Sequence, residues 1–192
     1  MIRRIVLSLV VLVLTGGLTM AADLGFEDTA EGMANRLLAP SVASGAKIRN
    51  LGGSMGARVR GLTIVEGAPG QQTVIEKTVV APTERVGGYV NLAVRFDVDS
   101  FAIRPESVPL LDELGRALGL PGVRDLSVVV NGHTDSDGDE GYNLRLSLNR
   151  AMAVKQYLAN NQAIPPIRLK VMGYGEGLPL VANTSASNKQ SN

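Results

Sequence analysis

The chain has 192 residues, with 19 Lys and Arg against 18 Asp and Glu, and no cysteine. A formal charge of +1 gives no basic footprint for nucleic acid or an anionic membrane surface. The missing cysteine excludes disulfides and a cysteine-borne lipid, and 4% aromatics without tryptophan exclude the girdled strands of a transmembrane barrel.

Residues 1–22 read as a secretory signal peptide. Arg3 and Arg4 supply the positive start, an apolar run follows over 5–14, and Gly16-Gly17 breaks it. The small residues around Ala21 and Ala22 suit cleavage there. An uncleaved anchor is the alternative, although the run is short of the roughly 20 residues of a spanning helix. Removing Arg3 and Arg4 leaves a mature charge near −1.

Residues 23–88 read as a leader and flexible linker. Asp28-Thr29-Ala30-Glu31 can cap a short helix through Leu38, closed by Pro40. The following stretch is rich in glycine and small residues. Gly52-Gly53-Ser54-Met55-Gly56 lacks both the lysine ending and the preceding strand of a phosphate loop. Two β-rich runs, 62–65 and 73–80, predict strands, and with Arg58, Arg60 and Lys77 interspersed they suggest a docking segment for an envelope protein.

From residue 89 the pattern becomes that of a folded domain. Residues 90–96 alternate as a half-buried strand does. Pro105 and Glu106 suit a helix start, and Leu110, Leu111, Leu114, Ala117 and Leu118 form one stripe before Pro121-Gly122. Residues 126–130 form a β-branched buried strand. A second helix carries Leu144, Leu148, Ala151, Val154 and Leu158 on one face. Pro165-Pro166 ends it, and residues 167–172 alternate as a third strand. The order strand, helix, strand, helix, strand predicts a two-layer α/β fold, with the helices on one side of the sheet.

The polar turn after Val130 holds the chemistry. It brings Asp135 at the turn and Arg150 on the second helix within reach of one pocket. A carboxylate with a planar guanidinium can hold a zwitterion, one charge on each. The plainer reading makes Asp135 a turn aspartate and lets Arg150 lie along apolar surface or pair with a carboxylate such as Asp112. Asn143 fits either the rim of the site or a helix cap. His133 is the single histidine and has no nucleophile suitably placed. Asp135, Asp137 and Asp139 match the first positions of a calcium loop, but Glu140 and Leu146 occupy its glycine and glutamate positions. No metal or cofactor is expected. A hydrolase would need paired carboxylates, such as Asp135 with Asp99 or Glu176, and nothing singles these out.

These residues carry a family resemblance. Gly132-His133-Thr134-Asp135, Gly138, Tyr142-Asn143, Leu146-Ser147, Arg150-Ala151, Val154 and Tyr157-Leu158 resemble the signature of the OmpA-like C-terminal domain. The likeness extends upstream to Phe96, Ser100, Ile103, Pro105 and Leu111, and downstream to Gly173-Tyr174-Gly175-Glu176, Pro179 and Asn183. It implies a mixed sheet over residues 89–192 and non-catalytic binding of peptidoglycan. Asp135 and Arg150 would grip the stem-peptide diaminopimelate, with Thr134, Asn143 and Asp99 contributing around them. It also implies a periplasmic or cell-envelope location with outer-membrane association. The family pattern continues to an Asn-Arg-Arg and a final strand. Here Asn188-Lys189 takes an earlier Gly-Arg position and Asn192 the asparagine, so that strand is expected to be missing from this sequence, because it is a fragment of a longer protein or, as the alternative, because the domain is incomplete. The other expected classes are an envelope adaptor acting through residues 23–88 and, further off, a wall hydrolase.

Overall fold

The computed structural model describes residues 4–10, 27–39, 58–66, 71–80 and 88–178, with backbone alone over 4–10, 58–59, 66 and 79–80. In chain order the elements are β1 (Arg4–Val10), α1 (Ala30–Leu38), β2 (Arg58–Glu66), β3 (Gln72–Val80) and β4 (Asn91–Ala93). They continue with α2 (Val108–Gly119), β5 (Ser127–Gly132), α3 (Glu140–Asn161) and β6 (Leu169–Gly173). One mixed sheet runs in the order β3-β2-β6-β5-β1-β4. β5 pairs parallel with β6 and β1, and β1 parallel with β4, whereas β2 pairs antiparallel with β6 and β3. The expected α/β alternation is therefore present as β4-α2-β5-α3-β6.

Spacing explains the core. Leu111, Leu114 and Leu118 recur at helical intervals on α2 and are fully buried, as are Ala151, Val154 and Leu158 on α3. Val128 and Val130 alternate on β5 and meet them in the same cluster. Burying each of these leucines and valines contributes about 1.5–3 kcal/mol. The helix expected through Leu38 forms as α1, with Thr29 Oγ1 accepting from Gly32 N at 3.2 Å. Its Met33 and Leu37 enter the common core, and Ala30 N donates to Glu113 Oε2 of α2 at 3.1 Å.

Several boundaries differ from the expected ones. The segment expected to be leader and flexible linker contributes α1 to the core and a β2–β3 hairpin to the sheet. An apolar face that packs and a strand that finds a ladder partner outweigh the loop-like composition between them. Part of the leader's apolar run is also in the sheet as β1, since a short apolar run suits a buried strand as well as a leader. The cleavage site and the C-terminal residues 179–192 lie outside the described residues.

The strand expected over 90–96 is shortened to Asn91–Ala93. Ser107 Oγ accepts from Arg95 N at 2.7 Å, and Arg104 N donates to Arg95 O at 3.0 Å. The chain thus leaves the sheet and folds over as a loop carrying Asp99, Ser100 and Phe101. The strand expected over 167–172 starts instead at Leu169, after a single 3-10 turn, Pro166–Arg168. The Arg168 guanidinium there donates to the carbonyls of Leu118, Val123 and Leu126.

Gly132 and Gly173 are register partners on β5 and β6. A Cβ on Gly132 would collide with the Ser147 carbonyl, and one on Gly173 would lie 2.5 Å from Leu148 N. Two bare backbones side by side therefore let α3 rest on the sheet. This contact fixes the helix carrying Arg150 against the strand that leads to Asp135.

Candidate functional site

The loop after β5 is held from both ends. Thr134 N donates to Gly175 O at 3.0 Å, and Tyr174 N donates to Gly132 O at 3.0 Å. The His133 and Tyr174 rings stack with centroids 5.6 Å apart, which makes His133 a packed structural residue. Asp135 Oδ1 accepts from Asp137 N at 3.2 Å, the turn role open to it from sequence. Gly138 adopts φ 102, a left-handed value that a side chain would oppose. The cap of α3 is Asp139, whose Oδ1 accepts from Tyr142 N at 2.9 Å.

Asn143 is therefore no cap. It is buried, and its Nδ2 donates to Asp135 O at 3.4 Å, Asp137 O at 3.0 Å and Glu176 Oε2 at 2.8 Å. One amide thus ties the Asp135 loop to the turn after β6. The same bond engages Glu176, one of the carboxylates considered for a hydrolytic pair. Asn143→Ala is expected to destabilise the fold by about 2 kcal/mol, because a buried amide that ties two part-buried loops together is lost. Urea unfolding measures this; an unchanged midpoint would mean the clamp contributes nothing.

Arg150 lies one helical stretch further on and is half-buried. Its Nε donates to Ser100 O at 2.9 Å, and its guanidinium carbon lies 5.2 Å from the Phe96 ring centroid. Burial pushes the Arg150 pKa down, while Asp135, Tyr142 and Asp99 act in the opposite sense. An arginine stays cationic regardless. Among the described residues no carboxylate lies within ion-pair distance of Arg150. Asp112 does not take the arginine: it accepts from Tyr157 Oη and Gln162 Nε2, both at 2.6 Å.

The structure thus brings Asp135, Asp99 and Arg150 to one place. Asp99 is exposed at φ 51, and its Oδ1 accepts from Tyr142 Oη at 3.4 Å. Thr134 is buried beside Asp135, and among the described residues its Oγ1 has no hydrogen-bond partner. Sequence reasoning missed the Ser100 carbonyl, which no side-chain pattern reveals. It also missed Tyr142 and Glu176 as supports, although both fall inside the quoted motifs. No group of three or more metal-ligating side chains occurs among the described residues. No helix among them is long and apolar enough to cross a membrane.

Comparison with known proteins places these features. The family model described as "OmpA family" matches residues 95–192. Outer membrane protein A of Bordetella avium is 33% identical over 135 residues, covering 69% of this chain and 65% of that protein. Outer membrane porin F of Pseudomonas aeruginosa is 35% identical over 103 residues, covering 54% of this chain and 29% of the porin. The chain thus spans less than two thirds of either relative. Among solved structures, the peptidoglycan-associated lipoprotein from Burkholderia pseudomallei aligns with a TM-score of 0.46 at 24% identity, over 52% of this chain and 81% of that one. The C-terminal domain of Helicobacter pylori MotB gives the same TM-score and identity, over 52% and 75%. The family match covers the Arg150 helix, the Asp135 loop and the strands they hang from, and this chain belongs to the OmpA family.

Proposed function

We propose that this protein binds peptidoglycan without catalysis and attaches itself to the wall on the periplasmic side of the envelope. The ligand group is the diaminopimelate of the stem peptide. Asp135 receives its ammonium and Arg150 its carboxylate, with Asp99 and Thr134 beside them. The carrying observation is the state of Arg150: a half-buried guanidinium fixed by a backbone carbonyl and an aromatic ring, facing Asp135 and Asp99 without an ion pair to either. Such a cation is oriented in advance and still has terminal nitrogens to offer a planar anion. Family membership supports the same reading, since OmpA-like domains bind peptidoglycan and are as a rule non-catalytic.

Co-sedimentation with sacculi of two chemotypes tests it. Wall built on diaminopimelate should pellet the protein. Wall built on lysine lacks the side-chain carboxylate and should leave it in the supernatant. Asp135→Ala, folded by circular dichroism, should stay soluble with both. Equal pelleting on the two walls would rule out the diaminopimelate contact, and no pelleting by folded protein would rule out wall binding itself.

A further inference from the structure

Among the described residues, Asp99 and Ala163 alone combine a side chain with a positive φ, 51 and 53. Ala163 follows the end of α3, a place where chains commonly turn left-handed. Asp99 ends no helix. It is the third residue of a turn that Ser100 N closes by donating to Asp97 O at 3.2 Å, and a type II turn demands positive φ at that position. The loop is pinned at its base, where Phe96 bridges Ile103. Past the turn, Ser100 Oγ accepts from Ala102 N at 3.0 Å, which fixes the residue whose carbonyl takes Arg150 Nε. The two groups that hold the guanidinium, the Phe96 ring and the Ser100 carbonyl, therefore flank the turn.

We propose that Asp99 is a positioning residue for the ligand: its left-handed backbone aims the Ser100 carbonyl at Arg150, and its carboxylate is secondary. The inference rests on the reading that Arg150 takes the ligand's carboxylate. Two observations favour backbone over charge. The Asp99 side chain is exposed and meets Tyr142 Oη only at 3.4 Å, a long contact for two oxygens. Of the three groups that favour the charged form of Arg150, Asp99 comes last, behind Asp135 and Tyr142. Residue type fits the same role. Asp and Asn enter the left-handed region more readily than most side chains and glycine enters freely, whereas a β-branched side chain is strongly disfavoured there. A residue that resists this conformation depopulates the turn, and apparent affinity falls with the fraction of molecules whose arginine is aimed.

Sedimentation isotherms with diaminopimelate-type sacculi test this on Asp99→Gly, Asp99→Asn, Asp99→Ala and Asp99→Val, each confirmed as folded by circular dichroism. All four lack the carboxylate, so a charge role predicts one common loss. Backbone positioning predicts a series instead. Asp99→Gly and Asp99→Asn should bind most tightly and Asp99→Ala less so, with Asp99→Val about tenfold weaker than Asp99→Asn. Repeating the last pair in an Arg150→Lys background separates positioning from a general loosening of the loop. Lysine has no second nitrogen for the Ser100 carbonyl, so the ratio between Asp99→Asn and Asp99→Val should fall toward one. Four equal affinities, or a ratio that survives Arg150→Lys, would overturn the positioning role and leave the diaminopimelate site standing. Failure of folded wild type to pellet would overturn both together.

Discussion

Arg150→Lys is expected to weaken binding to diaminopimelate-type sacculi almost as much as Arg150→Ala, by about 2 kcal/mol or about 30-fold. The reason is geometric. Arginine uses Nε on the Ser100 carbonyl and lays its plane near Phe96, so the terminal nitrogens are aimed before any ligand arrives. Lysine keeps the charge but has one nitrogen for both tasks, and an ammonium is costlier to strip of water in a half-buried place. Sedimentation isotherms of the three proteins measure the effect, with circular dichroism confirming their fold. Binding by the lysine variant within twofold or so of wild type would reduce Arg150 to a point charge and remove the two-pronged grip.

Gly132→Ala should have the largest effect on stability. The new methyl would meet the Ser147 carbonyl, a backbone atom of α3 that cannot rotate away. Either the helix lifts from the sheet or the strand shifts. Overpacking of this kind is expected to cost about 3 kcal/mol and to lower the melting temperature by roughly ten degrees. Ser147 itself is fully buried, donating to Leu144 O at 2.9 Å and accepting from Gly175 N at 2.8 Å, so displacement also disturbs the turn after β6. Gly119→Ala is the control. Nothing lies within 4 Å of its added carbon, so it should be neutral or slightly stabilising. Thermal unfolding of the pair that failed to separate them would show that α3 is free to move off β5.

The helices of the C-terminal half were legible because their stripes are periodic and bounded by proline and glycine. Leu111, Leu114 and Leu118, and likewise Ala151, Val154 and Leu158, are the residues that the structure buries. Asp135 and Arg150 were legible as a pair because a strand-turn-helix pattern limits where each can lie. What escaped was decided by contacts distant in sequence. Residues 90–96 alternate like a strand, yet the Ser107 hydroxyl claims the Arg95 amide and ends the ladder early. Asn143 looked suited to capping, but Asp139 is better placed, which leaves the amide free to join two loops. The Ser100 carbonyl that orients Arg150 belongs to the backbone and has no sequence signal at all. Within residues 23–88 the helix through Leu38 and the two strands were legible as α1, β2 and β3, but their packing was not, because α1 and the β2–β3 hairpin meet surfaces far along the chain.

The position of β6 also governs the order in which the sheet can form. Leu169–Gly173 pairs with β5 on one side and with β2 on the other, yet it is the last of these strands to be synthesised. Until it emerges, β2 and β5 have no ladder between them, and sixty residues separate Glu66 from Ser127. Local helices and the β2–β3 hairpin can form early, whereas closure waits on contacts of long sequence separation. A topology of high contact order folds slowly. The two halves of the sheet are therefore expected to join late, when Leu169–Gly173 pairs on both of its edges.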